Sequence, residues 1–469
     1  MLLKYFYDEK LAQASYMVGC QASNEALIVD PSREITSYLK AAEENGMTIT
    51  GSIETHIHAD FVSGGRELAA RTGAVLYVSD EGDQEWKYQN LDELPHKKVV
   101  DGEKIFVGNL TLEIIHTPGH TPESISILLT DGGAGADEPL GIFTGDFVFV
   151  GDIGRPDLLE KAAKKEGTAE SGAEEMFHSL QKFKTLPDFL QVWPGHGAGS
   201  ACGKSLGSVP SSTAGYEKRY NWALQFEDKG AFKKELIEGQ PEPPVYFAEM
   251  KKVNKVGPNF FDELKEPARV NLPEILQQVK KSSQVIDVRS QNDFAAGHIE
   301  GTINIPFNKS FTNWAGWLVD YSSPLYVICD EKDLEDIRKA LHSIGIDTLE
   351  GYAAREEVQL AEHTESFAAI DADRAFPLVQ ENKVHVLDVR NLSEWQDGHI
   401  EGAQHIMLGE LPERIKEIPV DKPVLMQCGS GLRSAIGASI LQKNGVKHVM
   451  NLNGGFAAWE KEVNQMITK

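Results

Sequence analysis

The chain has 469 residues, with 46 basic against 71 acidic side chains and a formal net charge of −25. That length suits about three domains rather than one, and 41% apolar with 25% charged residues is an ordinary globular balance. The acidic excess argues against nonspecific binding to nucleic acid, and no apolar run reaches the roughly 18 residues of a membrane span.

Met1–Lys10 lacks the basic-then-apolar plan of a signal peptide, so a cytoplasmic location is expected. Residues 1 to about 200 alternate β-rich and helical runs. Ala26–Asp30 reads as a buried strand ending at Pro31, and Arg33–Asn45 as a helix stopped by Gly46. The β-rich run Ile49–Glu54 leads into Thr55-His56-Ile57-His58-Ala59-Asp60-Phe61, and Gly64-Gly65 then opens a helix over Arg66–Arg71. Strands are expected at Ala74–Val78 and Lys104–Val107, a loop at Asp131–Glu138, and a helix at Ala169–Phe183. A longer helical region, Tyr216–Glu238, should break near Lys229-Gly230.

Two histidines and an aspartate at alternate positions could simply be polar loop residues that cap a helix. Three more motifs favour a metal site. His120 follows the strand-like run Leu110–Ile115, Asp146 follows Leu140–Phe143, and His196 follows Phe189–Trp193. Unlike ligands on loops at successive strand ends converge on one edge, and imidazole with carboxylate suits Zn, Fe or Ni. These four motifs, in this order over about residues 1–240, resemble the metallo-β-lactamase superfamily and within it glyoxalase II and the persulfide dioxygenases. The resemblance implies an αββα sandwich. The superfamily pattern would place a histidine at position 61, where this chain has Phe61. A phenyl ring offers no lone pair, so one mononuclear metal is expected. By resemblance to persulfide dioxygenases it is Fe(II) held by His56, His120 and Asp146, a two-histidine, one-carboxylate set with open positions. His58, Asp60 and His196 would then orient ligands or substrate through hydrogen bonds.

Gly239–Pro244 marks a boundary, because proline removes donors and disfavours helix before it. Residues 241–270 are expected to be a connector with little regular structure. Beyond it the chain repeats. Val285-Ile286-Asp287-Val288-Arg289 returns as Val386-Leu387-Asp388-Val389-Arg390, and Gly297-His298-Ile299-Glu300-Gly301 as Gly398-His399-Ile400-Glu401-Gly402, both at an offset of 101 (388 − 287 and 399 − 298). That period is too long for a solenoid and fits two tandem α/β domains, 271–365 and 372–469, which resemble rhodanese domains. Asp287, Arg289, His298 and their counterparts Asp388, Arg390, His399 occur in both copies, which suits scaffold hydrogen bonding better than chemistry.

The four cysteines, Cys20, Cys202, Cys329 and Cys428, show no CxxC spacing, so neither a disulfide framework nor a zinc ribbon fits. Cys428 opens Cys428-Gly429-Ser430-Gly431-Leu432-Arg433-Ser434, between strand Val424–Gln427 and helix Ala435–Lys443. A loop of this kind can turn its N–H groups and a helix N-terminus toward the sulfur. With Arg433 these should lower the thiol pKa and stabilise a persulfide. In the first copy Cys329 is followed by Asp330-Glu331-Lys332-Asp333-Leu334-Glu335-Asp336, with five carboxylates and no glycine. That charge opposes a thiolate and repels an anionic donor, so Cys329 reads as a packing residue in a degenerate copy. Cys202 lies six residues beyond His196. It is either a persulfide-docking or relay thiol, favoured by Lys204, or a small residue in a tight loop. Cys20 reads as a core residue.

Taken together, the chain resembles bacterial fusions of a persulfide dioxygenase with a degenerate and an active rhodanese domain. The resemblance implies oxidation of a low-molecular-weight thiol persulfide by O2 to sulfite, then sulfur transfer through Cys428 to sulfite to give thiosulfate, as in sulfide detoxification. It also implies a homo-oligomer. The alternatives are a glyoxalase II-like thioesterase, with a metal activating water, fused to a rhodanese, and a non-catalytic sulfur-binding scaffold.

Overall fold

The structure is a computed structural model that describes residues 1–158, 160, 168–240, 242–281 and 283–468. Pro241 at the start of the expected connector and Lys469 at the end of the last expected domain lie outside the described residues. The chain divides into two compact units, Met1–Leu264 with His342–Gly345, and Lys265–Leu341 with Ile346–Lys469.

The first unit is built on two six-stranded sheets. One runs, in order, β1 (Leu2–Asp8), β2 (Gln13–Cys20), β3 (Glu25–Val29), β4 (Thr48–Ile53), β5 (Val75–Ser79) and β6 (His96–Val99). The other contains β7 (Lys104–Val107), β8 (Leu110–His116), β9 (Ile125–Asp131), β10 (Gly141–Gly145), β11 (Gln191–Pro194) and β12 (Ser212–Thr213), lying in the order β12-β11-β10-β9-β8-β7. Alternation along the strands explains the layering. Val18, Leu27 and Val29 from one sheet meet Leu112, Ile114, Ile127 and Phe143 from the other in a dry core. Met17, Ala26 and Ile28 point the opposite way, onto Tyr38 and Ala41 of helix Thr36–Glu44. Ile142 and Val192 pack outward on Met176, Leu180 and Phe183 of helix Thr168–Lys184. Helices therefore cover both outer faces of a sheet pair.

This layering puts the ends of β4, β8, β10 and β11 at one edge, where the loops carrying His56, His120, Asp146 and His196 begin. Two expectations need correction. The helical stretch after Tyr216 breaks just before Lys229-Gly230, as expected, but also at Asn221. A helix over Ala214–Tyr220 and a 3₁₀ turn over Trp222–Gln225 are separated from helix Lys229–Ile237, whose first turn accommodates Gly230 because Asp228 caps it through the Ala231 N–H. The connector is also not irregular. Phe247–Val256 is a helix ended at Gly257. Its residues Phe247, Met250 and Asn254 lie on one buried face, and that burial outweighs the solvated look of Lys251, Lys252 and Lys255.

The second unit holds two five-stranded parallel sheets. The first contains β13 (Ala268–Arg269), β14 (Gln284–Asp287), β15 (Ile303–Asn304), β16 (Leu325–Cys329) and β17 (Leu349–Ala354), in the order β13-β17-β16-β14-β15. The second contains β18 (Ala368–Ile370), β19 (His385–Asp388), β21 (Gln404–His405), β22 (Val424–Gln427) and β23 (Val449–Leu452), in the order β18-β23-β22-β19-β21; β20 (His399–Ile400) pairs separately with β24 (Ile467–Thr468). The repeated motif is scaffold in both copies. Arg289 clasps Asp287 and donates to the Gly297 carbonyl, while Arg390 clasps Asp388 and donates to Gly398. His298 and His399 each donate Nδ1–H four residues back, to Phe294 and Trp395. Each ring also stacks on the aromatic residue that accepts the bond.

Candidate metal centre and thiol loop

The turn after β4 fixes His56 through a relay that starts at a distant residue. Asp30, just past β3 with a left-handed φ of 48° that aspartate tolerates, accepts from the Thr55 N–H at 2.7 Å and the Thr55 hydroxyl at 2.9 Å. Thr55 Oγ1 in turn accepts from His56 Nδ1 at 3.1 Å. The Nε2 lone pair of His56 is therefore free on the other side. His120 is set the same way, its Nδ1–H donating to the Arg155 carbonyl at 2.9 Å. Arg155 is fully buried and clamped to Asp157 at 2.7 and 2.6 Å.

Both Nε2 atoms face Asp146 Oδ2, at 3.9 Å from His56 and 3.5 Å from His120. All three side chains are buried, and each offers one ligand atom within 4.8 Å of the others. His56 Nε2 and both Asp146 oxygens have no hydrogen-bond partner. Leaving such atoms unmet costs about 1–3 kcal/mol each, and a cation supplies what they lack. Burial, reinforced by the neighbouring histidines, pushes His56 well below its ordinary pKa, and burial lowers His120 against the pull of Asp146. Both are thus neutral imidazoles, the form that ligates metal. The residues present fit a metal ion.

The neighbouring groups divide. His58 turns away from that centre, with Nε2 3.1 Å from Asp30 Oδ1 and its ring tilted over Phe61 at 4.3 Å between centroids. His196 donates Nδ1–H to the Ala12 carbonyl at 3.0 Å, and its Nε2 stands 3.1 Å from Asp60 and 3.3 Å from Asp146 Oδ1. Burial lowers His196, but Asp146 and Asp60 outweigh it and leave its pKa raised. Asp60, His196 and Cys202 also bring one potential ligand atom each within 4.8 Å. The six-residue spacing from His196 does not by itself group Cys202 with these two. Burial, with Asp60 and Asp146 adding to it, pushes the Cys202 thiol well up. Lys204 does not offset this as expected: its ammonium lies 5.6 Å above the Trp222 ring and reaches Glu235.

The connector helix reaches this site. Asn254 donates to the carbonyls of His58 at 2.8 Å and Phe61 at 2.7 Å, and accepts from the Ser63 N–H at 2.8 Å. Neither Asn254 nor Asp30 belongs to a recognisable motif, and sequence reasoning missed both.

The second thiol site is made by the turn between β22 and helix Leu432–Lys443. The Gly431 N–H donates to Cys428 Sγ at 3.1 Å and the Ser434 hydroxyl at 3.3 Å. The carbonyls are pulled outward: Cys428 O takes the Phe456 N–H at 2.7 Å, Gly429 O that of Ala457 at 3.2 Å, and Gly431 O the Asn451 amide at 3.0 Å. With its carbonyls tied back, the loop can aim amides at the sulfur. Gly455, at φ 58°, is required, since a Cβ there would fall 2.1 Å from the Cys428 carbonyl. Arg433 forks onto Glu394, at 2.6 Å from Nη1 to Oε2 and 2.7 Å from Nη2 to Oε1. Glu394 is a functional candidate that sequence reasoning passed over.

In the first copy, burial followed by Asp333 and Asp330 pushes Cys329 up to about 12. Cys20, buried under Gly108, differs: hydrogen bonds from Asn109 and Ser23 lower it to about 7.

The metallo-beta-lactamase superfamily profile matches residues 9–196. The rhodanese-like domain profile matches twice, at 272–354 and 372–462. A solved structure described as a metallo-beta-lactamase from Staphylococcus aureus subsp. aureus COL is 46% identical, covering 76% of this chain and 99% of that one, with a TM-score of 0.68. The chain is 27% identical to "Persulfide dioxygenase ETHE1, mitochondrial" of Bos taurus, over 42% of this chain and 68% of that protein. It is 31% identical to a hydroxyacylglutathione hydrolase of Rhodospirillum rubrum over 39% of its own length, and spans 60% of that relative. No helix among the described residues is long and apolar enough to cross a membrane.

Proposed function

We infer the activity from the premise that this chain belongs to the metallo-β-lactamase superfamily and carries two rhodanese-like domains after that fold. The reading is a non-haem Fe(II) persulfide dioxygenase joined to a sulfurtransferase. The observation that carries it is the buried set His56, His120 and Asp146, whose ligand atoms converge and in which His56 Nε2 and the Asp146 oxygens make no hydrogen bond. Such a set would hold a mononuclear iron and leave coordination positions open, the arrangement of non-haem oxygenase sites.

In this reading His56, His120 and Asp146 hold the metal, which supplies redox activation of O2 and orientation of the persulfide. The reaction balances as RSSH + O2 + H2O giving RSH, sulfite and two protons. Asp30 and Thr55 hold the His56 ring, and the Arg155 carbonyl holds His120, so neither ligand needs to reorganise. Phe61 contributes an apolar wall. In the second domain the Cys428 thiolate attacks the outer sulfur of another persulfide and releases RSH. The resulting persulfide is held by the Gly431 N–H and the Ser434 hydroxyl. Sulfite then attacks its outer sulfur, thiosulfate leaves, and the thiolate returns.

The test is metal analysis of anaerobically purified protein together with an oxygen electrode and a thiol persulfide. Iron near one equivalent with O2 uptake and sulfite production is expected. The Asp60, His196 and Cys202 cluster favours a second reading, a two-metal thioesterase. Protein that contains two zinc ions, hydrolyses thioesters and consumes no O2 would establish it.

A further inference from the structure

Glu394 has no task in the sulfur-transfer scheme above, yet it forms the tightest contact at the mouth of the Cys428 loop. Its carboxylate takes both ends of the Arg433 guanidinium at 2.6 and 2.7 Å. The pair rests against the loop rim, because a Cβ on Gly429 would lie 3.1 Å from Arg433 Nη2 and 3.5 Å from Glu394 Oε1. Arg433 is also near enough for Cys428 to act on its charge. The other charged groups here, Arg390 and Asp388, are already joined to each other at 2.7 Å.

The first copy supplies an internal comparison. At the offset of 101 the residue matching Glu394 is Asp293, and counting from the cysteines, Leu334 stands where Arg433 does. There Asp293 accepts from the Ser290 hydroxyl at 2.9 Å, beside the helix start, and stands 3.9 Å from the Arg355 guanidinium, which donates to Asp330 at 3.3 Å. Among the described residues at these matched positions, the two-pronged carboxylate–guanidinium fork occurs in the second copy, between Glu394 and Arg433, and not at Asp293.

A planar fork of this kind is also what a sulfur oxyanion would bind. We propose that Glu394 is a positioning residue that occupies Arg433 as a built-in anion, so that an incoming sulfur oxyanion must displace it to reach Cys428. Resting on the sulfurtransferase reading, this makes Glu394 the residue that sets acceptor affinity and holds back anions too weak to compete.

The test is Glu394→Gln in the full chain; the amide keeps an acceptor for the Asn391 N–H that Glu394 now caps at 3.1 Å. Two readouts are used: the ratio of Cys428 alkylation rates with iodoacetate and iodoacetamide, followed on the Cys428 peptide, and KM and kcat with sulfite as acceptor. Removing one charge a few ångströms from the path should raise the anionic-to-neutral ratio about tenfold and lower the KM for sulfite, with the iodoacetamide rate nearly unchanged. Arg433→Gln alone should lower the ratio, and the double variant should lose the gain. An unchanged ratio, or a raised KM with lower kcat, would show a simple strut and overturn the proposal, as would a Cys428 that neither reagent reaches. A raised ratio in a protein that makes no thiosulfate would leave the gate standing and remove the proposed activity.

Discussion

The Nε2 of His58 stands 3.1 Å from Oδ1 of Asp30, and the same carboxylate holds the backbone and hydroxyl of Thr55. Burial works against charge on this imidazole, but Asp30 outweighs it and brings the pKa up to about 9. The contact of His58 with Asp30 braces the same turn that presents His56.

Asp30→Ala should accordingly damage a metal site it does not touch. It leaves the His58 Nε2 and two Thr55 donors unmet in the interior, a loss of about 3–5 kcal/mol in unfolding free energy. Metal affinity should fall about 10–100-fold. Urea unfolding and chelator competition read the two effects, and full metal retention would remove the relay from the account.

The two chemistries should separate by mutation. His120→Ala is expected to abolish metal loading and O2 uptake, while Cys428→Ser keeps O2-dependent sulfite and makes no thiosulfate. Thiosulfate still formed catalytically by the Cys428 variant, measured by ion chromatography, would defeat the two-step scheme.

Cys329 should be inert. With its thiol pushed up to about 12 by burial and by Asp333 and Asp330, it holds almost no thiolate at pH 8. Iodoacetamide should leave the Cys329 peptide unlabelled, and Cys329→Ser should transfer sulfur at the parent rate. A rate loss greater than about threefold would give the first copy a catalytic part.

Acid should weaken the second unit through His298. Burial lowers its pKa to about 4, below the unfolded value near 6.5. Between these values the native state binds fewer protons than the unfolded chain, so stability is full above about pH 6.5 and declines as pH falls toward 4. The loss is about 3 kcal/mol. His298→Phe lacks the titrating nitrogen, so its urea midpoint should fall less over that interval. Parallel slopes in the two proteins would exclude His298 as the cause.

Much of the candidate site was legible because each candidate ligand lies within a few residues of the end of an apolar run, where a loop residue's position is fixed by the sheet. The exact 101-residue offset likewise exposed the tandem copies. Asp30 was not legible, since it acts across 25 residues on Thr55 through space and no spacing rule reports that. The break at Asn221 was hidden because Gly230 looked like the stronger interruption, whereas a capping Asp228 makes a glycine in the first turn tolerable. Lysines at 251, 252 and 255 masked a buried face whose signal is Phe247, Met250 and Asn254, spaced by three and four. Glu394 was overlooked because a carboxylate in a repeated scaffold motif reads as a helix cap until its arginine is seen.

Asn254 gives the proline-rich stretch before it a practical meaning. Trimming the chain there would look clean on paper, yet it would cut away the amide that ties down both ends of the His58–Phe61 turn. A shortened protein ending near residue 240 would retain every proposed ligand and lose the clasp that keeps them in register.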